Sequence, residues 1–212
     1  DLRFPVQLNP TTRAFLRQYA PTLPAAAQRA TAELLADEKN ADAGDLLSGD
    51  ATINAMLRTT CVATLLQAGH AANALPQRAK ATVNCRILPT MTTDEVEAVL
   101  TKSIANPRIL VNLRSPQRPM AVPAPLDPKI MDPATKLAAE MFPGIPVIPI
   151  MLTGATDATM TGLIGIPTYG VPGLFFDADG GGAHGLNERI KTQSVYDGRD
   201  YLYRLVKVYS NN

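Results

Sequence analysis

Three glycines run directly into a histidine in GGGAHGLNERI, residues 180–190. Glycine lets a backbone approach a partner closely or take positive φ. A histidine on such a loop can ligate a metal, move a proton, or simply hydrogen-bond to backbone. His184 is one of two histidines in the chain, with His70. A metal centre needs about three or four ligands, and the sequence holds neither an HExxH nor a DxH pair. As a ligand, His184 therefore needs partners outside this sequence. A Ser–His–Asp hydrolase is a weaker reading, because no GxSxG nucleophile turn is present. A second stretch is Gly154-Ala155-Thr156-Asp157, just after an apolar run ending at Leu152. Thr156 or Asp157 there could cap a helix. The turn could equally line a pocket, since open α/β sheets bind ligands beyond the carboxyl ends of their strands. The third feature is Arg86. With Lys80, Thr82 and Asn84 it forms the polar side of RAKATVNCRILP, opposite Ala79, Ala81, Val83, Cys85 and Ile87.

The elements that must position these residues fall into two textures. Residues 9–57 read as helical. Asn9 caps a first helix with Pro10 in its first turn, and Phe15, Leu16 and Tyr19 share a face. LPAAAQRATAELLADE predicts a second helix, and GDLLSGDATINAMLR a short irregular helical stretch. From Thr59 the pattern predicts a strand ending at Gly69, a loop at HAANALP, and the alternating strand that carries Arg86. Thr92 and Glu95 form a capping box for a helix with Val96, Val99, Leu100 and Ile104 inward, stopped at Pro107. RILVNLR predicts a third strand. Residues 59–114 are thus an α+β layer on an antiparallel sheet.

SPQRPMAVPAPLDP reads as an extended linker and domain boundary. Beyond it come a helix (DPKIMDPATKLAAEMF), a strand (IPVIPIML), a short helix after the GATD turn, and a strand (IPTYGVPG) entering the glycine loop. Ser194 and Asp197 are candidate caps for the last helix, with Leu202, Leu205, Val206 and Tyr209 inward. Alternating helix and strand is α/β grammar with parallel strands. Two strands rarely make a stable sheet, so this domain reads as incomplete.

Composition narrows the function class. Of 212 residues, 46% are hydrophobic and 18% charged, which is globular rather than disordered. A net charge of +1 without a basic block argues against nucleic acid or an anionic membrane as partner. No apolar run is long enough to span a membrane. The compartment is left open. Asp1 in first place fits either a processed N-terminus or a fragment. Cys61 and Cys85 lack CxxC spacing and are expected as two buried free thiols. They could bond only if their strands are neighbours.

TTCVATLLQAGHAANALPQRAKATVNCRILP, TGATDA, GIPTYGVPGL and AHGLNERI, in that order, resemble the downstream part of the zinc exopeptidases and amidohydrolases. These are the aminoacylases, glutamate carboxypeptidases and succinyl-diaminopimelate desuccinylases. The resemblance implies a partial α/β catalytic domain at 119–212 and an α+β lid and dimerisation domain at 1–115. His184 then aligns with the last metal ligand, and Arg86 with the arginine that receives the substrate carboxylate. Asn73 becomes a lid contact to substrate, while Gly154, Thr156 and Asp157 form or shape the substrate pocket. The complete enzymes hold two zinc ions, and at most one ligand falls in this chain. Their general base and remaining ligands belong before residue 1, so no catalytic residue is assigned. His70 lies outside the family's histidine motif and is read as structural.

The expectation is therefore the C-terminal part of a metal-dependent hydrolase. It cleaves the amide bond of a small peptide or N-acyl amino acid beside a free carboxylate, as a homodimer through the lid, and is inactive as this chain alone. One rival is a non-catalytic dimerisation or binding module. The other is an unrelated α/β enzyme using Asp157 and His184 as acid and base without metal.

Overall fold

The computed structural model describes residues 2–114, 119–177 and 179–211. Two compact units emerge: Asp1–Pro123 with Pro149–Ile166, and Ala124–Ile148 with Pro167–Asn212. The boundary expected between 115 and 119 falls on residues 115–118, outside the described residues.

In the first unit α1 (Pro10–Tyr19) starts from a capping box: Asn9 Oδ1 accepts from the Thr12 amide and Thr12 Oγ1 from the Asn9 amide. Next come α2 (Ala25–Ala36), α3 (Ala41–Leu47) and α4 (Ala51–Leu57). The irregular stretch resolves into the last two because Asp50 Oδ1 caps a new start, accepting from Thr52 and Ile53 amides at 2.8 and 2.9 Å. Phe15, Leu16, Leu34, Leu47, Met56 and Leu57 are buried in this helical layer. So is Arg58, which donates to the Phe4 carbonyl at 2.6 Å and pairs with Asp45 at 2.9 Å. Burial, and then the neighbouring Arg3, hold its pKa below the usual guanidinium value, with Asp45 opposing.

Strand β1 (Thr60–Ala68) pairs antiparallel with β2 (Ala79–Arg86). The register runs from Thr60↔Arg86 to Ala68↔Ala79 and slips once between Ala63 and Leu65, leaving Thr64 as a bulge. Pairing across that bulge puts Cys61, Ala63, Leu66 and Ala68 on the apolar face with Cys85, Val83, Ala81 and Ala79. Only the base of this face is covered, where Cys61 and Cys85 pack with Phe4, Met91, Val96, Val99 and Leu100. Toward the tip, Leu66 is 79% exposed.

Two expectations are corrected here. Cys61 and Cys85 are not free thiols: they sit directly opposite in the register, Cα atoms 4.1 Å apart, and form a disulfide. The free-thiol reading failed because spacing along the chain carries no register. Second, 108–114 forms no strand. Asn106 Oδ1 takes the Arg108 amide and the Asn106 carbonyl takes the Ile109 amide, so a turn occupies the start of the expected run, and the residues up to 114 join no ladder. Leu110 stays 82% exposed. Helix α5 (Thr93–Ile104) has the expected Thr92–Glu95 capping box and ends at left-handed Ala105, two residues before Pro107.

In the second unit α6 (Pro128–Met141) packs on α8 (Thr192–Ser210), with α7 (Ala158–Leu163) belonging to the first. Ala134, Leu137, Ala138, Tyr201 and Leu205 form the core. Tyr201 and Tyr209 hydroxyls donate to the Ala134 and Ile130 carbonyls at 3.0 and 2.6 Å. The α8 stripe is rotated from expectation: Tyr201 is buried, whereas Leu202 and Val206 are exposed. A tyrosine that finds a carbonyl partner can take the interior position. Ser194 does not cap α8. It is buried and its hydroxyl bonds both the amide and the carbonyl of Phe175, at 2.6 and 2.8 Å. Neither IPVIPIML nor IPTYGVPG forms a ladder among the described residues, whose one sheet is β1–β2.

Candidate functional site

Arg86 ends β2 on its polar face, exposed. Its Nη1 donates to the Thr153 carbonyl at 3.3 Å, which brings the guanidinium to the entrance of the Gly154–Asp157 turn. That turn is open. A Cβ built on Gly154 meets nothing within 4 Å. Thr156 Oγ1 accepts from the Ala158 amide at 3.2 Å, and the Asp157 carbonyl accepts from Met160 and Thr161 amides, so α7 starts here. The Asp157 side chain makes no capping bond. Thr156 therefore does the local capping, while the Asp157 carboxylate is exposed. Arg86 presents fixed donors that match a carboxylate in a bidentate fork. Asn73 lies exposed in the turn beyond β1, and no hydrogen bond among the described residues joins it to Arg86 or the GATD turn. His70, also beyond β1, is exposed.

The glycine loop belongs to the second unit. Gly180, Gly181 and Gly182 have φ of 76, 67 and 67°, and His184 itself has φ of 62°. Left-handed backbone at a non-glycine residue costs on the order of 1 kcal/mol or more and persists only when the surroundings impose it. They do: Arg189 N donates to the Gly181 carbonyl at 2.8 Å, Gly185 N to the Gly182 carbonyl at 2.8 Å, and Gly181 N to Asp179 Oδ1 at 3.0 Å. Arg189 also pairs with Asp179, and Lys191 with Asp177 at 2.8 Å. Hydrogen bonding from Arg189, then from the Gly181 amide, holds the Asp179 carboxyl below its usual pKa. The result is an exposed imidazole at the apex of a closed loop.

That imidazole suits one coordination position of a metal. Among the described residues, however, no group of three or more His, Cys, Asp or Glu side chains could hold an ion. His184 is one donor, and the described residues do not compose a metal centre by themselves.

Asp179 and Arg189 were given no role in the sequence reading, which took only the glycines and His184 from this loop. Their opposite charges, five residues before and five after His184, were the available signal.

Residues 19–108 match the peptidase dimerisation domain of the M20 family. The mouse N-fatty-acyl-amino acid synthase/hydrolase PM20D1 is 28% identical over 160 residues, covering 73% of this chain and 31% of that protein. Its Xenopus tropicalis counterpart is 30% identical over 147 residues, covering 67% and 28%. The chain belongs to the M20 peptidase family. A further M20-type relative, the probable carboxypeptidase S-like 2 of Dictyostelium discoideum, is 26% identical over 166 residues, 76% of this chain and 31% of that protein. Among solved structures, the M20 family metallo-carboxypeptidase Sso-CP2 from Sulfolobus solfataricus superposes with a TM-score of 0.56. It covers 99% of this chain and 46% of its own at 20% identity, a likeness of fold. The chain thus spans under a third of the length of these curated M20 relatives. No described helix is long and apolar enough to cross a membrane.

Proposed function

We propose that this chain is the C-terminal portion of an M20 metal-dependent hydrolase, one that cleaves the amide bond of a peptide or N-acyl amino acid next to a free carboxylate. The observation that carries the reading is Arg86, aligned on the polar face of β2 with its guanidinium against the Thr153 carbonyl beside the GATD turn. Relatives named as an N-fatty-acyl-amino acid synthase/hydrolase and a carboxypeptidase S-like protein support that substrate class. In this reading residues 1–115 are the lid and dimerisation domain. Residues 119–212 are the end of the α/β catalytic domain, whose parallel sheet is completed by other parts of the enzyme. Arg86 receives the substrate carboxylate, Asn73 contacts the substrate from the lid, and Gly154, Thr156 and Asp157 shape the pocket. His184 supplies one zinc ligand. The chemistry that zinc would supply when held there is polarisation of the scissile carbonyl and activation of water; the general base is not among these residues, and the chain alone is inactive. The enzyme works as a homodimer through the lid.

The test pairs a residue with a substrate group in the full-length enzyme. Arg86→Met lowers kcat/KM about 100-fold, the loss expected for a charge-assisted pair. A substrate with its carboxylate converted to an amide loses as much with the unaltered enzyme, and the two changes together lose little more. Additive losses would show that Arg86 does not meet the carboxylate.

A second reading, a non-catalytic dimerisation module, is favoured by the match of residues 19–108 to the dimerisation domain and by the uncovered apolar face of the hairpin. It requires self-association, measured by sedimentation, to survive His184→Ala with no hydrolysis by the full-length protein.

A further inference from the structure

The 179–189 segment closes on itself at one place. The Asp179 carboxylate reaches the Gly181 amide with Oδ1 and the Arg189 guanidinium with Oδ2, while the Arg189 amide returns to the Gly181 carbonyl at 2.8 Å. Side chain and backbone of Arg189 thus both grip the opposite strand of the loop. Asp177 reinforces the closure through Lys191 at 2.8 Å and the Arg189 Nε at 3.8 Å, and its carbonyl accepts the Gly180 amide at 2.8 Å. Inside the ring there is no slack. A Cβ on Gly181 would stand 2.5 Å from the Arg189 carbonyl oxygen, and one on Gly182 3.0 Å from that of Asn187. His184 occupies the midpoint, on left-handed backbone that the ring imposes.

We infer that Asp179 and Arg189 are positioning residues for His184, acting as a charged neck that fixes where the loop presents its imidazole. The inference rests on the reading of His184 as a functional group. Both neck side chains are at least half exposed. Exposed pairs contribute little to global stability, so their effect is local to the loop. That separates positioning from a general structural role.

The test uses the full chain with Asp179→Asn, Arg189→Gln, the conservative Arg189→Lys, and the exchange Asp179→Arg with Arg189→Asp. The first two are expected to raise amide hydrogen exchange at Gly181 and Gly185 about 10-fold and to move the His184 ring nitrogen resonances. Exchange in α8 and in the hairpin stays unchanged, and so does the melting temperature. Arg189→Lys restores most of the protection, and the charge exchange restores part. Unchanged loop exchange and unchanged His184 resonances in Asp179→Asn and Arg189→Gln would overturn the inference; so would a matching drop in melting temperature with exchange raised throughout the unit. A parallel cobalt(II) titration of the full-length enzyme separates this outcome from the metal reading. A neck variant is expected to weaken cobalt(II) binding about 10-fold, as second-sphere partners do. If His184→Ala leaves cobalt(II) affinity untouched, it is the ligand assignment that fails, and the exchange data still decide the neck.

Discussion

The two candidate loops solve opposite problems. The GATD turn is open: Gly154 has empty space around it, the Asp157 side chain makes no cap, and from outside the turn Arg86 bonds the preceding carbonyl. The glycine loop is closed by its own residues, from the Asp179–Arg189 pair to the Gly181 carbonyl. Under the proposed function the first would be a wall that a bound substrate completes. The second is closed by its own bonds, which is what the proposed metal ligand would require, since its position would have to be held within about half an ångström of the productive geometry. A histidine forced into left-handed backbone at the apex of such a loop is a residue whose placement outweighs its comfort.

The contrast can be broken at its supports. The largest effect is expected at the disulfide, which pins the strand that delivers Arg86 toward the GATD turn. With the cysteines 24 positions apart, replacing Cys61 and Cys85 by alanine should destabilise the first unit by about 3 kcal/mol in the loop-entropy account. Chemical denaturation measures it, and the glycine loop's own amide protection should not change. Next is Gly181→Ala, which combines positive φ with a 2.5 Å overlap against backbone and should cost about 2 kcal/mol locally. Gly154→Ala, with nothing in reach, should stay within about 0.5 kcal/mol. Equal costs in thermal melts would erase the distinction between the loops. The smallest effect is acid release of the neck. Asp179 in the folded chain titrates below its ordinary 3.8, so its contribution is complete above that value and is lost as pH falls through the lower folded pKa. The Gly181 amide resonance should hold steady down to about pH 4 and move below it; movement beginning well above would show that the pair is not formed.

Local chemistry was legible in the sequence. The Asn9 cap, the Thr92 capping box, the two faces of β2 and the stop at Pro107 each depend on residues within a few positions of one another. What escaped depends on partners far along the chain. The Cys61–Cys85 bond needed the register of two strands. The exchange of Leu202 for Tyr201 in the α8 core needed the Ala134 carbonyl, 67 residues away. The expected strand at 108–114 begins inside the Asn106 turn, whose side chain and carbonyl take the Arg108 and Ile109 amides. Of the site, Arg86 and His184 stood out as residue types on suggestive backgrounds. The neck that holds His184 did not, because a charge pair across ten residues looks like any other until the loop closes.

Thr64 carries a consequence for reading this hairpin against its relatives. The extra residue acts as a phase shift: odd positions point to the apolar side before it and even positions after it. Flatten the bulge so that Thr64 joins the ladder, and the outer half of β1 turns inside out, presenting Leu65 where Leu66 now stands and Gln67 where Ala68 does. A related chain one residue shorter here would pair without a bulge and keep the same surface, although every later position carries a number lower by one. The two hairpins would then be equivalent by geometry only after the count is reset at the bulge.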